Sequence, residues 1–195
     1  WTYGGNDYLY YYETVTGSQV FSLNTGIDIS NDEGYDKLAM SSDGRYIAVI
    51  RGSSYSSDAV VLIDAAEREV RWTIEIEDTY IRSIDISSNG EYVVFGTYSG
   101  GEDSDRYNLY YVRVSDGQVL WQFHTYAKVR QVAISGDGQF VVAATEDGYS
   151  QGRYRLLVWD AFDQTLIRNE YTGAYPYTYS ASMSVDGARY IMVRE

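Results

Sequence analysis

The apolar positions of this chain fall into one arrangement that is written four times. Each copy has two apolar residues in alternation, a four-residue turn, an aromatic position and a short unbroken apolar run. The turns are Ser41-Ser42-Asp43-Gly44, Ser87-Ser88-Asn89-Gly90, Ser135-Gly136-Asp137-Gly138 and Ser184-Val185-Asp186-Gly187, with final glycines 46, 48 and 49 residues apart. Asp, Asn and Gly tolerate the backbone angles that a tight hairpin demands. Before the turns stand Leu38 and Met40, Ile84 and Ile86, Val132 and Ile134, and Ala181 and Met183. After them run Tyr46-Ile47-Ala48-Val49, Tyr92-Val93-Val94-Phe95, Phe140-Val141-Val142-Ala143 and Tyr190-Ile191-Met192-Val193. Unbroken apolar runs of this length predict strands covered on both faces. Met40, Ile86, Ile134 and Met183 are therefore expected in the core.

A second hairpin alternates with the first. Leu9 to Tyr12 and Gln19 to Leu23 flank Val15-Thr16-Gly17, and one hundred positions later Leu109 to Val112 and Val119 to Phe123 flank Asp116-Gly117. The same outer hairpin recurs at Val60 to Asp64 with Val70 to Ile74, and at Leu156 to Asp160 with Thr165 to Arg168. No stretch reads as an amphipathic helix, and no linker divides the chain, so residues 1–195 are expected to form one all-β domain. A repeat of about 45–50 residues built from short strands predicts stacked sheets, as in propeller blades. The chain opens on an outer hairpin and closes on an inner one, Tyr179 to Val193. Pairing Leu9 to Tyr12 with Tyr190 to Val193 would hide two open sheet edges. The expected fold is a β-propeller of four four-stranded antiparallel blades, the last completed by the N-terminal and C-terminal hairpins.

These residues also carry a resemblance. Val132 to Gly138 and Leu157-Val158-Trp159-Asp160 look like the WD-repeat signature, and Asp116-Gly117-Gln118-Val119-Leu120-Trp121, with Glu69-Val70-Arg71-Trp72, is similar to the quinoprotein docking motif. The chain thus resembles WD-repeat and quinoprotein-like (PQQ-like) β-propellers. The resemblance implies that Trp72 and Trp121 each pack one blade on its neighbour. Phe21 and Arg168 stand at the corresponding positions of the other two copies. The vicinal cysteine pair of the quinone-binding enzymes is missing, so the resemblance implies a fold and no activity.

Composition narrows the partners. The net charge of −13 comes from 28 acidic residues against 15 basic ones, of which only Lys37 and Lys128 are lysines. Such a surface repels phosphate backbones and anionic lipid, which argues against nucleic acid and membrane insertion as partners. The 22 tyrosines suit half-buried strands, where the ring packs and the hydroxyl reaches water. With no cysteine there are no disulfides and no thiolate metal sites. No initiator Met precedes Trp1, so a processed form is expected. Together with the Tyr-rich, Lys-poor composition this points to an extracellular or cell-surface protein.

Candidate chemistry is sparse. His124, the one histidine, follows a strand and has no nucleophile motif nearby, so it is expected to be exposed and not catalytic. Two acidic loops, Gly100 to Asp105 and Asp28 to Asp36, could wrap Ca²⁺, with Asp103 and Asp105 as first ligands, although neither matches the twelve-residue Ca²⁺ loop. Tyr55, Tyr98, Tyr107, Tyr149 and Tyr154 fall in the loops joining second and third strands, while Tyr80, Tyr126, Tyr175 and Tyr177 fall between blades. By analogy with propellers both loop classes lie on one face, where the rings could form a contiguous binding surface. The expected function is a non-enzymatic scaffold for protein partners, copies of itself included. A carbohydrate- or cation-binding module is the alternative, and an enzyme is the third reading.

Overall fold

The computed structural model describes residues 7–27, 38–52, 57–98, 108–146, 154–173 and 178–194. Within them every element is a strand, and inside each sheet strands adjacent in sequence pair antiparallel. Strands β1 (Asp7–Tyr12) and β2 (Gln19–Ile27) form a two-stranded sheet. Next come β3 (Leu38–Met40), β4 (Tyr46–Arg51), β5 (Ser57–Asp64) and β6 (Glu69–Glu77), one sheet in that order. A second four-stranded sheet holds β7 (Ile81–Ile86), β8 (Tyr92–Thr97), β9 (Leu109–Arg113) and β10 (Val119–Phe123). The third holds β11 (Lys128–Ile134), β12 (Phe140–Glu146), β13 (Tyr154–Asp160) and β14 (Thr165–Gly173). Strands β15 (Thr178–Met183) and β16 (Tyr190–Arg194) form the last hairpin.

Three four-stranded sheets are therefore complete, and the fourth is not closed. The β1–β2 and β15–β16 hairpins remain separate two-stranded sheets. Each packs on its sequence neighbour instead. Leu9, Tyr11, Phe21 and Leu23 cover Ile47, Val49, Val61 and Ile63, while Met183 and Tyr190 cover Ala133, Val142 and Leu156. The inner strands β3, β7, β11 and β15 nevertheless border one cavity of about 300 Å³. This layered, all-β arrangement is compatible with propeller blades.

The inner turns explain why the repeat reads so clearly. In each, the Ser Oγ donates to the Asp or Asn Oδ1 two residues on, at 2.6–2.7 Å. That oxygen accepts the backbone N–H two residues further along, and the Ser Oγ accepts the N–H of the fifth residue after it. The closing glycines have φ between +66° and +84°, where a side chain is strained. Neighbouring turns are also tied together: Ser42 N–H donates to Ser88 O, Asn89 N–H to Gly136 O, and Gly136 N–H to Val185 O.

The aromatic after each turn lies on the next copy's glycine. A Cβ on Gly90 would meet the ring of Tyr46 at 2.9 Å, one on Gly138 would meet Tyr92 at 2.3 Å, and one on Gly187 would meet Phe140 at 2.4 Å. The docking tryptophans behave as the resemblance implies. Trp72 Nε1 donates to Val114 O at 2.8 Å and Trp121 Nε1 to Ala161 O at 3.1 Å, each in the following sheet.

Two expectations are corrected here. Ile86 and Ile134 are buried, but Met40 is 51% exposed and Met183 only partly covered. Met40 points to the side of β3 that would meet another inner hairpin, and β1–β2 covers the middle strands β4 and β5 of that sheet. In the fourth copy the fifth residue after the turn serine is Arg189, whose N–H donates to Ser184 Oγ at 3.0 Å. Arg189, and not Tyr190, holds the aromatic position, so Tyr190 faces back onto the β11–β14 sheet and Ile191 faces away.

Candidate functional site

The two ends of the sheets present different chemistry. At the loop end, β-bulges recur at the same point of successive inner strands: Ile81 pairs with Thr97 and Ser83 with Gly96, while Val129 pairs with Thr145 and Gln131 with Ala144. The residues skipped are Arg82 and Arg130. A bulge re-aims its side chain, and both guanidiniums are turned to one phenol, that of Tyr98. The Arg82 guanidinium lies 4.5 Å from the Tyr98 ring centre, that of Arg130 5.7 Å, and Lys128 Nζ 3.9 Å. Lys128 Nζ also donates to the Tyr98 hydroxyl at 2.7 Å. Arg82 reaches the Tyr80 ring at 5.7 Å, and Tyr98 N–H donates to Tyr80 O at 2.7 Å. Arg130 is paired with the buried carboxylate of Glu146. Three cations thus gather on one ring of a chain whose net charge is −13. Cation–π contacts of this kind contribute about 0.5–2 kcal/mol each. Their effect is to clasp the β6–β7 connection to the end of β8.

Of the tyrosines expected at this surface, Tyr80, Tyr98, Tyr126 and Tyr154 lie among the described residues. Tyr98 and Tyr80 share the cluster just described. Tyr126, exposed, meets the His124 ring edge-on with centroids 4.2 Å apart. Tyr154 is the first residue of β13, its backbone paired with Glu146 and Gly173, and so belongs to the strand and not to the loop before it. Tyr55, Tyr107, Tyr149, Tyr175 and Tyr177 lie outside the described residues, as do Asp103 and Asp105. His124 is partly buried where exposure was expected, because Tyr126 folds over it. Among the described residues no group of three or more His, Cys, Asp or Glu side chains could hold a metal ion. No described helix is long and apolar enough to cross a membrane.

At the turn end, carboxylates are structural. The hydroxyls of Ser41, Ser135 and Ser184, followed by backbone N–H groups, hold Asp43, Asp137 and Asp186 below the ordinary carboxylate range. Burial opposes ionisation of Asp64, but Arg45 and the N–H groups of Glu67 and Ala66 outweigh it and its pKa is lowered. Burial raises the Tyr111 phenol, whose hydroxyl donates to Gly138 O at 2.8 Å. These groups are occupied in holding turns together.

Sequence reasoning located Tyr98 but not its cations. Arg82 and Arg130 each sit four positions before an apolar residue that precedes a turn, a spacing visible in the repeat. Only the bulges reveal that both point the same way.

No protein-family model and no curated protein matches the chain. Among solved structures it is similar to Kuenenia stuttgartiensis hydrazine synthase, with a TM-score of 0.59 and 19% identity. The match covers 80% of this chain and 40% of that one, so the chain spans less than half its length. At that identity the likeness concerns the fold alone.

Proposed function

We propose that the chain is a non-enzymatic β-propeller scaffold, extracellular or at the cell surface, that binds protein partners through its blade faces and edges, copies of itself included. The observation that carries this reading is a set of apolar side chains exposed at both ends of the stack, at positions buried everywhere inside it. Ile191 is 66% exposed, whereas its counterparts Ala48, Val94 and Val142 are each 0%. Leu38 is 58% exposed where Ile84 and Val132 are at most 3%. Tyr8, Tyr10 and Tyr12 are exposed along one face of β1, and the counterpart of Tyr12, Val112, is fully buried. Faces of this composition favour contact with another blade.

The two end hairpins are complementary in kind. Strands β15–β16 correspond to β11–β12 and strands β1–β2 to β13–β14, so the order β15-β16-β1-β2 would make a fourth blade. Pairing within a chain closes a four-bladed propeller. Pairing between copies gives larger rings or, where contacts do not close, fibres. Val141 faces Trp159 across β12 and β13, and their counterparts are Tyr190 and Tyr12. The chain contains no cysteine, so Tyr12→Cys with Tyr190→Cys gives a clean cross-linking assay on a denaturing gel. A ladder of multimers supports assembly between copies. A cross-linked monomer supports the closed propeller and moves partner binding to the loop end. No cross-link at this or adjacent registers, with a monomeric mass by light scattering, would sink the reading.

A further inference from the structure

We propose that the turn end carries a slot, between the β3–β6 and β7–β10 sheets, that receives the aromatic ring of a partner peptide. The inference deepens the protein-binding reading by naming the chemistry of one contact. The structure supplies its own template one interface further on. There Phe162 leans on the ring of Tyr92, with centroids 5.7 Å apart and planes at 56°. Phe162 directly follows Ala161, whose carbonyl accepts Trp121 Nε1.

The first interface shares the same frame, although Arg45, Leu62 and Arg71 stand where the second has Glu91, Tyr111 and Leu120. Tyr46 takes the place of Tyr92, each with its N–H 3.0 Å from the Oγ of the turn serine five residues before it. Val114 takes the place of Ala161, accepting Trp72 Nε1. The next residue, however, is Ser115, where the other interface has Phe162. With a hydroxymethyl in place of a benzyl group, a cavity of about 380 Å³ remains, lined by Tyr46, Gly90, Glu91, Arg113, Val114 and Ser115. The Arg45 and Arg71 guanidiniums lie 5.0 and 5.7 Å from the Tyr46 ring centre. Arg71 is held there by Ser115 O, to which its Nε and one terminal nitrogen donate at 3.2 Å. The two guanidiniums brace the Tyr46 ring, which itself lines the cavity, and an aromatic contact with it adds to area burial. The cavity therefore suits a planar ring better than a branched aliphatic side chain.

The test is an NMR titration with N-acetyl-phenylalaninamide, using N-acetyl-leucinamide as control, on the wild type and two variants. Ser115→Phe should plug the slot from within, and Phe162→Ser should open a second one; both positions are exposed, so the fold is retained. The expected result is one saturable site in the wild type, at least tenfold weaker binding in S115F, and two sites in F162S. Unchanged binding in S115F, a single site in F162S, or equal binding of the leucine amide would overturn the proposal. The mass and cross-linking outcomes above are unaffected by either variant, so the two readings fail separately.

Discussion

Replacing Gly138 by Ala tests how the sheets are held together. Two costs are added. The residue has φ +84°, and a left-handed backbone costs an L-residue about 1–2 kcal/mol. Its new Cβ would also stand 2.3 Å from Tyr92 Cδ2. That ring cannot swing aside, because it stacks on Tyr111 at 5.0 Å and meets Phe162 on another side. Overpacking of this sort costs about 1–3 kcal/mol, so the substitution should destabilise by about 2–5 kcal/mol. Gly17→Ala is the control. It has φ +67° with nothing within 4 Å of a Cβ, and residues at the matching outer-turn position, Arg68 and Gln164, already adopt φ of 60° and 56°. Its cost should stay near 1 kcal/mol, partly offset by reduced freedom of the unfolded chain. Urea unfolding followed by Tyr and Trp fluorescence measures both. Equal losses at the two glycines would refute the idea that aromatic-on-glycine packing joins neighbouring sheets.

Ile134→Ala should cost about 2–5 kcal/mol, the range for a buried large-to-small change, while Met40→Ala should cost under about 1 kcal/mol because Met40 is half exposed; comparable losses in chemical denaturation would contradict the fold as described. Acid should destabilise the protein. Asp43, Asp137 and Asp186 have folded pKa values below their ordinary 3.8, so their contribution is complete above that value and is lost as pH falls through the lower folded value. Asp137→Asn keeps the acceptor for Ser135 and Gln139, as Asn89 does in the second copy, and should flatten the decline of melting temperature below pH 3.8; an unchanged slope would remove Asp137 from the account.

Much of the fold was legible in the chain, for a local reason. Ser-x-Asp-Gly turns close through hydrogen bonds spanning five residues, and the apolar alternation on either side selects strand. The order of hairpins follows from the same repeat, and the docking of Trp72 and Trp121 from the resemblance their motifs carry. Even the place of Arg189 could have been found by counting five residues from Ser184, where the eye is drawn instead to Tyr190. The interaction surfaces were less legible. Tyr98 could be placed at a loop, but the convergence of Arg82, Lys128 and Arg130 on its ring depends on bulges in two different sheets. The open slot beside Tyr46 depends on comparing residues 47 positions apart, Ser115 and Phe162, once their neighbours are known to be docked alike. Exposure of Met40 and Ile191 was beyond reach altogether. Pattern marks a residue as apolar, but whether a second sheet covers it is decided by pairing between distant hairpins, and among the described residues each of those hairpins packs on its sequence neighbour.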